Sequence, residues 1–289
     1  MKRLPKWAAL GLALCLPLSA QAHRAWLLPS ATVLSGTAPW ITVDAAVSND
    51  LFYFEHVPLL LQGIAPAHSS GDRPGRGPRS QQLQILAPDG STAAPEHGQT
   101  GQLRTTFDLH LLQKGTYRLT ASSSGLQAFW EENGQKRRWM GPAEALENAV
   151  PKQASQLKIT RFDSRTETFV TSGPATDSAL KPRNQGLELV PVTHPNDLFA
   201  GETATFAFLL DGQPAAGIGV QIIAGNERYR DDSSDIHLTT DAQGQIRVSW
   251  PQPGMYWLQA QAGRAGDPAR PAVTEQRFSY TATLEVLAP

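Results

Sequence analysis

Apolar and polar positions alternate in short runs over most of the chain. This is the period of two that places one side chain in and the next out on a sheet. Ile41-Thr42-Val43-Asp44-Ala45-Ala46-Val47 is the cleanest case, and residues 83–87, 103–111 and 115–121 repeat it. Residues 25–29 read as a short strand stopped by Pro29. Residues 51–57, aromatic and β-branched up to Pro58, read as another strand, as do 126–130 and 157–170. Only residues 142–149 carry a helix signal, with Pro142 in the first turn and good helix formers behind it. Residues 65–80, rich in Gly, Pro and Ser and without periodicity, read as a loop.

The second half continues in the same way. Strands are expected at 187–191, 204–210, 219–224, 236–240, 246–250, 256–262 and 278–286. Asp211-Gly212, Asp241-Ala242-Gln243-Gly244 and Pro253-Gly254 supply turns between them. Short strands at this spacing, with no helix between them, predict an all-β chain of two immunoglobulin-like β-sandwich domains in tandem. The first domain covers 23–170 and the second 187–289. Between them, 171–186 holds Gly173-Pro174 and Lys181-Pro182 and reads as a linker.

Composition sharpens this picture. With 40% hydrophobic residues the chain can build real cores, while Gly 24, Pro 22 and only 18% charged residues point to many turns. There is no strand–helix alternation, phosphate loop or dinucleotide fingerprint, and no basic patch with interleaved aromatics, so nucleic acid is not an expected partner.

Residues 1–22 read as a secretory signal peptide. Lys2, Arg3 and Lys6 precede an apolar run, and Ala20-Gln21-Ala22 is a small-x-small cleavage site. The net charge of −1 falls by three, to −4, when these basic residues leave with the leader. The single cysteine, Cys15, leaves too, so the mature chain has no thiolate ligand and no disulfide. No later apolar stretch is long enough to span a bilayer. The expected location is the periplasm.

Cleavage after Ala22 makes His23 the first mature residue. Its α-amino group and ring Nδ1 could then chelate one metal ion, because an α-amino group surrenders its proton far more readily than a lysine.

His23, Trp26-Leu27-Leu28-Pro29, Gly186-Leu187-Glu188-Leu189-Val190-Pro191, and the stretch from Thr240-Asp241-Ala242-Gln243-Gly244 to Pro253-Gly254-Met255-Tyr256 together resemble the NikM-like periplasmic family. The closing Tyr280-Thr281-Ala282-Thr283-Leu284-Glu285-Val286 fits as well. That family is catalogued largely as a domain of unknown function. The resemblance implies an exported β protein linked to nickel or cobalt uptake. Some members carry a transmembrane segment that is missing here, which implies an accessory role beside a membrane transporter or outer-membrane receptor. Members often begin Ala-His-Asp or Ala-His-Glu. Arg24 follows the histidine in this chain, so a neighbouring carboxylate ligand is missing.

Seven histidines follow the leader: His23, His56, His68, His97, His110, His194 and His237. None pairs at helical metal spacing or as His-x-His, so a site has to be assembled across strands. His56 is the first expected partner of His23, because an early hairpin would bring the two together. His194, before Pro195, and His237, after an acidic loop, are candidates for closing a site between the domains. His110 alternates with apolar neighbours like a core residue, and His68 and His97 sit in loop-like sequence.

Asp231, Asp232 and Asp235 suggest a hard-cation loop, but no calcium-loop glycine and glutamate follow. Phe52, Tyr53, Phe54, Phe129, Trp130 and Trp139 serve either a ligand face or a core. No nucleophile motif or zincin helix is present.

Three readings follow from the residues. The first is a non-enzymatic accessory protein for transition-metal uptake, with His23 as anchor. Its nitrogen-rich, sulfur-free donors suit nickel, cobalt, copper or zinc. The second is a copper histidine-brace oxidative enzyme. The third is a metal-free β-sandwich module that docks a transporter or receptor.

Overall fold

The computed structural model describes residues 23–64, 80–225, 235–266 and 272–289. The leader, His68, Asp231 and Asp232 lie outside them. The strands run β1 (Arg24–Pro29), β2 (Val33–Leu34), β3 (Trp40–Ser48), β4 (Val57–Pro58), β5 (Gln82–Leu86), β6 (Thr92–Ala93), β7 (Glu96–Thr100) and β8 (Thr105–His110). Two long strands follow, β9 (Gly115–Glu132) and β11 (Ser155–Ser172), with β10 (Gln135–Gly141) between them. The second half holds β12 (Leu187–Pro191), β13 (Thr203–Leu210), β14 (Gln213–Pro214), β15 (Gly219–Ala224), β16 (Ile236–Thr239), β17 (Gln245–Ser249), β18 (Gly254–Ala265) and β19 (Glu275–Val286). The expected helix is reduced to a 3₁₀ turn, Ala143–Ala145, and one α turn, Leu146–Ala149.

These strands form three sheets among the described residues. The first has the order β1-β3-β8-β7, with β4 also on β3. The second runs β16-β15-β18-β19-β11-β9-β5-β6, with β10 on β9 and β2 on β11. The third is β12-β13-β14, with β17 on β13.

The second sheet crosses the expected domain boundary. Its junction is a parallel pairing of β11 with β19, from Thr160 opposite Glu275 to Thr168 opposite Thr283. Parallel pairs need a long connection rather than a hairpin, and here all of residues 173–274 supply it.

Strand β11 is therefore a wall between two cores. Phe169 faces the core of the second half, with Phe206, Phe208, Trp250, Tyr256 and Tyr280. The next residue, Val170, faces the core of the first half, with Leu27, Ile41, Phe107, Tyr117 and Leu119. Successive side chains on a strand point to opposite faces, so adjacent residues can serve different cores. Strand β9 behaves likewise. Tyr117, Leu119 and Ala121 enter the first core, while Thr116, Arg118 and Thr120 are buried on the other side.

That polar side is occupied by residues 181–188. The Arg118 guanidinium donates to the Lys181 carbonyl (3.3 Å), and Arg165 donates to the Gln185 carbonyl (3.0 Å). Glu188 accepts from the backbone amides of Arg183 (2.8 Å) and Asn184 (2.7 Å). Glu167 accepts from the hydroxyls of Thr120 and Tyr280, both at 2.9 Å. The segment expected as a linker is thus packed, with Ala179 and Leu180 buried.

Two expectations about elements are corrected. Residues 115–121 and 126–130 are one strand, because the polar stretch Ser122-Ser123-Ser124-Gly125 pairs through its backbone with Phe162 to Arg165. Residues 51–56 are not a strand. Phe52 has φ +62° and the Tyr53 amide donates to the Asp50 carbonyl, so the chain turns there. Only Val57 and Pro58 pair with β3.

Candidate metal centre

The aromatic turn is what brings the candidate ligands together. Phe52 and Phe54 pack on Trp26, each with ring centroids 5.5 Å from it. Trp26 is fully buried in a small cluster with Ala46, Leu51, Ile223 and Trp257, which joins the first sheet to the second. The Trp26 indole N–H donates to Ser48 Oγ (2.8 Å), and the Ser48 hydroxyl donates to the Asp50 carbonyl (2.6 Å). The Trp257 indole N–H donates to the Ala25 carbonyl (2.9 Å), clamping the start of β1 to the second half. One carboxylate, Glu55, accepts from the Asn49 amide at 2.5 Å and the Asp50 amide at 3.4 Å. The Asn49 amide, followed by that of Asp50, holds the Glu55 carboxyl below its ordinary range.

This turn sets His56 against His23. Their rings stack with centroids 4.0 Å apart and planes 16° from parallel. His23 Nδ1 lies 3.0 Å from Asn49 Oδ1. Beside it, the Arg24 guanidinium donates to the Asn49 carbonyl (3.2 Å) and lies 5.8 Å from the Trp257 ring centre. Both histidines are exposed. Imidazole lone pairs lie in the ring plane, so two nearly parallel rings do not converge on one ion as they stand. A turn of the His56 side chain about its torsions is needed for both nitrogens to reach a shared point.

The other two expected ligands are elsewhere. His194 is half-buried, and both of its nitrogens have protein partners. Nδ1 accepts from the Asn196 amide (3.1 Å), and Nε2 lies 3.0 Å from Thr116 Oγ1. Thr116 Oγ1 is 2.9 Å from Thr171 Oγ1, and Thr171 donates to Asn196 Oδ1 (2.9 Å). The Asn196 amide on His194 Nδ1 closes the loop, and the Asn196 side chain also donates to the Phe169 carbonyl (3.0 Å). Burial lowers the pKa of His194, in keeping with the neutral ring that an acceptor Nδ1 requires. His237 sits on β16 opposite Gln221, exposed, with Nε2 3.9 Å from Asp235. Asp235 itself accepts from the Gln221 amide (2.6 Å). Among the described residues no three His, Cys, Asp or Glu side chains gather around a common point that could hold a metal ion.

Asn49 and Glu55 were not singled out from the sequence. The signal was present in principle, since Asn49-Asp50 follows a clean strand and should turn. Nothing in one sequence says that Asn49 would meet the start of the chain. His110 is not in the core either. It is half-buried and stacks on Trp40. Of the aromatic candidates, Trp130 and Trp139 join a third cluster with Leu126 and Ile159, while Phe129 stays exposed.

The family model described as "Domain of unknown function (DUF4198)" matches residues 20–263. The chain belongs to that family. The DUF4198 match takes in the His23–His56 pair, the shared wall β11 and most of the second half. No curated protein matches the chain. Solved structures that are similar include the D0-D1 domain of intimin, at 13% identity over 90% of this chain and 97% of that one, with a TM-score of 0.21. Chicken CNTN1 FN1-FN3 domains match at 8% identity over 90% and 97%, TM-score 0.22. A marsupial T cell receptor matches at 11% over 92% and 73%, TM-score 0.20. At these TM-scores the likenesses carry no argument, and the all-β sandwich architecture rests on the sheets and cores described above.

Proposed function

We propose that this DUF4198 protein is an exported accessory protein that captures a divalent transition-metal ion for uptake, in line with the nickel and cobalt association of the NikM-like family it resembles. The observation that supports this reading is the stack of His56 on His23 at 4.0 Å. Removal of the leader after Ala22 would free the α-amino group of His23. The amine, the His23 ring and the His56 ring would then form a three-nitrogen set. Nitrogen donors without sulfur suit nickel, copper, cobalt or zinc.

The residues fit that cargo in chemistry and in access, because both rings are exposed and His23 meets the turn that carries His56. On binding, His23 Nδ1 would exchange Asn49 Oδ1 for the ion, and the His56 ring would turn out of the stack. Two imidazoles and an amine leave coordination positions open, as a protein that passes its ion to a transporter or receptor requires.

The test is calorimetric titration of the mature chain beginning at His23 with each of the four ions. The comparison proteins are a version with one extra N-terminal alanine and the variant His56→Ala. The account expects both to lose affinity. Equal affinity in all three would sink it.

A further inference from the structure

The outward face of the first sheet carries a second constellation that the metal reading does not use. Trp40 on β3 sits directly opposite His110 on β8. Their rings stack with centroids 4.1 Å apart and planes only 11° from parallel. His97 on β7 lies beside the same indole, at 6.0 Å. His110 covers part of the indole, yet 46% of Trp40 remains open to solvent.

Each group around the indole is held by a fixed partner. His97 Nδ1 is 3.0 Å from Asp108 Oδ2, and the Thr42 hydroxyl donates to Asp108 Oδ1 (2.7 Å). The Thr42 hydroxyl, followed by His97, keeps Asp108 ionised by lowering its pKa. The Asp108 contact uses Nδ1 and leaves Nε2 for a ligand, on a side chain 70% exposed. His110 Nε2 is 3.1 Å from the Ala38 carbonyl.

Two of these anchors sit in a backbone region that side chains avoid. His97 has φ +49° at an irregularity where β7 slips against β8, and Ala38 has φ +46°. Non-glycine residues in this region carry backbone strain and are kept where the surroundings enforce them, often at functional sites. Neither His97 nor Ala38 belongs to one of the apolar cores, so a better-packed core is not what the strain achieves.

We propose that the face around Trp40 is a carbohydrate-binding site. A pyranose ring would lay its C–H face on the open part of the indole, and its hydroxyls would bond to His97 Nε2 and to the remaining lone pairs of Asp108. The surroundings favour a sugar over a protein partner. The neighbours on this face are Thr42, Asp44, Thr106 and Asp108, with Thr106 already donating to Asp44 (2.6 Å). Protein interfaces put an apolar centre inside a polar rim. An exposed indole set among imidazoles, hydroxyls and carboxylates suits a ligand that is itself half C–H and half O–H.

The probes are the hexasaccharides of β-1,4-linked N-acetylglucosamine, β-1,4-linked glucose and α-1,4-linked glucose. They are titrated calorimetrically into the mature chain and into Trp40→Ala, Trp40→Phe and His97→Ala, with circular-dichroism melts to show that each variant is folded. At least one probe should bind the parent. Trp40→Ala should weaken it by about tenfold or more, His97→Ala should weaken it less, and Trp40→Phe should keep most of the affinity. Absence of binding to all three probes overturns the proposal, as does an unchanged affinity in Trp40→Ala. Concentration-dependent self-association of the parent that Trp40→Ala abolishes would assign the face to a protein contact and overturn it too. No metal is added, so the result is independent of the His23–His56 reading.

Discussion

His194 has no spare nitrogen. As a member of the closed hydrogen-bond loop with Thr116, Thr171 and Asn196, it ties the second half to the start of β9 and the end of β11. Its pKa is lowered in the folded chain by burial. A depressed histidine pKa means that the unfolded chain takes up a proton first as pH falls, so stability is complete above the ordinary value of about 6.5 and declines below it. Chemical denaturation between pH 7.5 and 5 should show this loss, and His194→Gln should flatten it. An unchanged pH profile in the variant would remove His194 from the account. Tyr280→Phe is a second test at this scale. It strips one of two hydroxyl donors from the buried carboxylate of Glu167 and should cost about 1–3 kcal/mol in a denaturant melt.

Among the elements, the turn 49–56 matters most to the candidate site, and it was the least legible. Alternation in residues 41–47 correctly predicts β3, because one face of that strand is buried and the other wet. The same reasoning fails at Leu51-Phe52-Tyr53-Phe54. Its aromatics are apolar because Phe52 and Phe54 plug a seam between sheets, and a period-two pattern cannot distinguish that from a strand face. The long strands were also hidden, since Ser122-Ser123-Ser124-Gly125 has no apolar alternation and pairs through its backbone and a serine contact, Ser123 Oγ to Ser164 Oγ (2.8 Å).

Gly225 offers a test of the turn. A Cβ there would lie 2.3 Å from the Phe52 ring and 3.1 Å from the Met255 carbonyl. Gly225→Ala should therefore displace Phe52 and the turn that carries His56. Metal affinity should fall in that variant even though no ligand has been touched, and a parent-like titration curve would show that the turn does not position His56.

For the whole molecule, the shared wall is the main result. The sequence reading places a linker at 171–186, since Gly and Pro there read as breaks. Yet Phe169 and Val170 feed two cores from one strand, and β11 pairs with β19 across the expected boundary. Such long-range pairing leaves no trace in local periodicity. Two halves that share a strand should unfold together. Calorimetry of the mature chain should give one transition whose van't Hoff and calorimetric enthalpies agree. Two resolved transitions would mean that the halves fold independently.

An early hairpin could place His56 near the N-terminal strand, so its neighbourhood was legible in part, although residues 51–56 turn instead of forming the expected strand. Its ring orientation was not, because it depends on Asn49, Glu55 and the seam beneath them. The central claim is that His23 and His56 act as one site once the leader is gone. The most direct measurement is the titration of nickel, cobalt, copper and zinc into the chain beginning at His23, beside the alanine-extended chain and His56→Ala. The account predicts one bound ion per chain, with affinity lost in both altered proteins. Indistinguishable curves for the three proteins would contradict it.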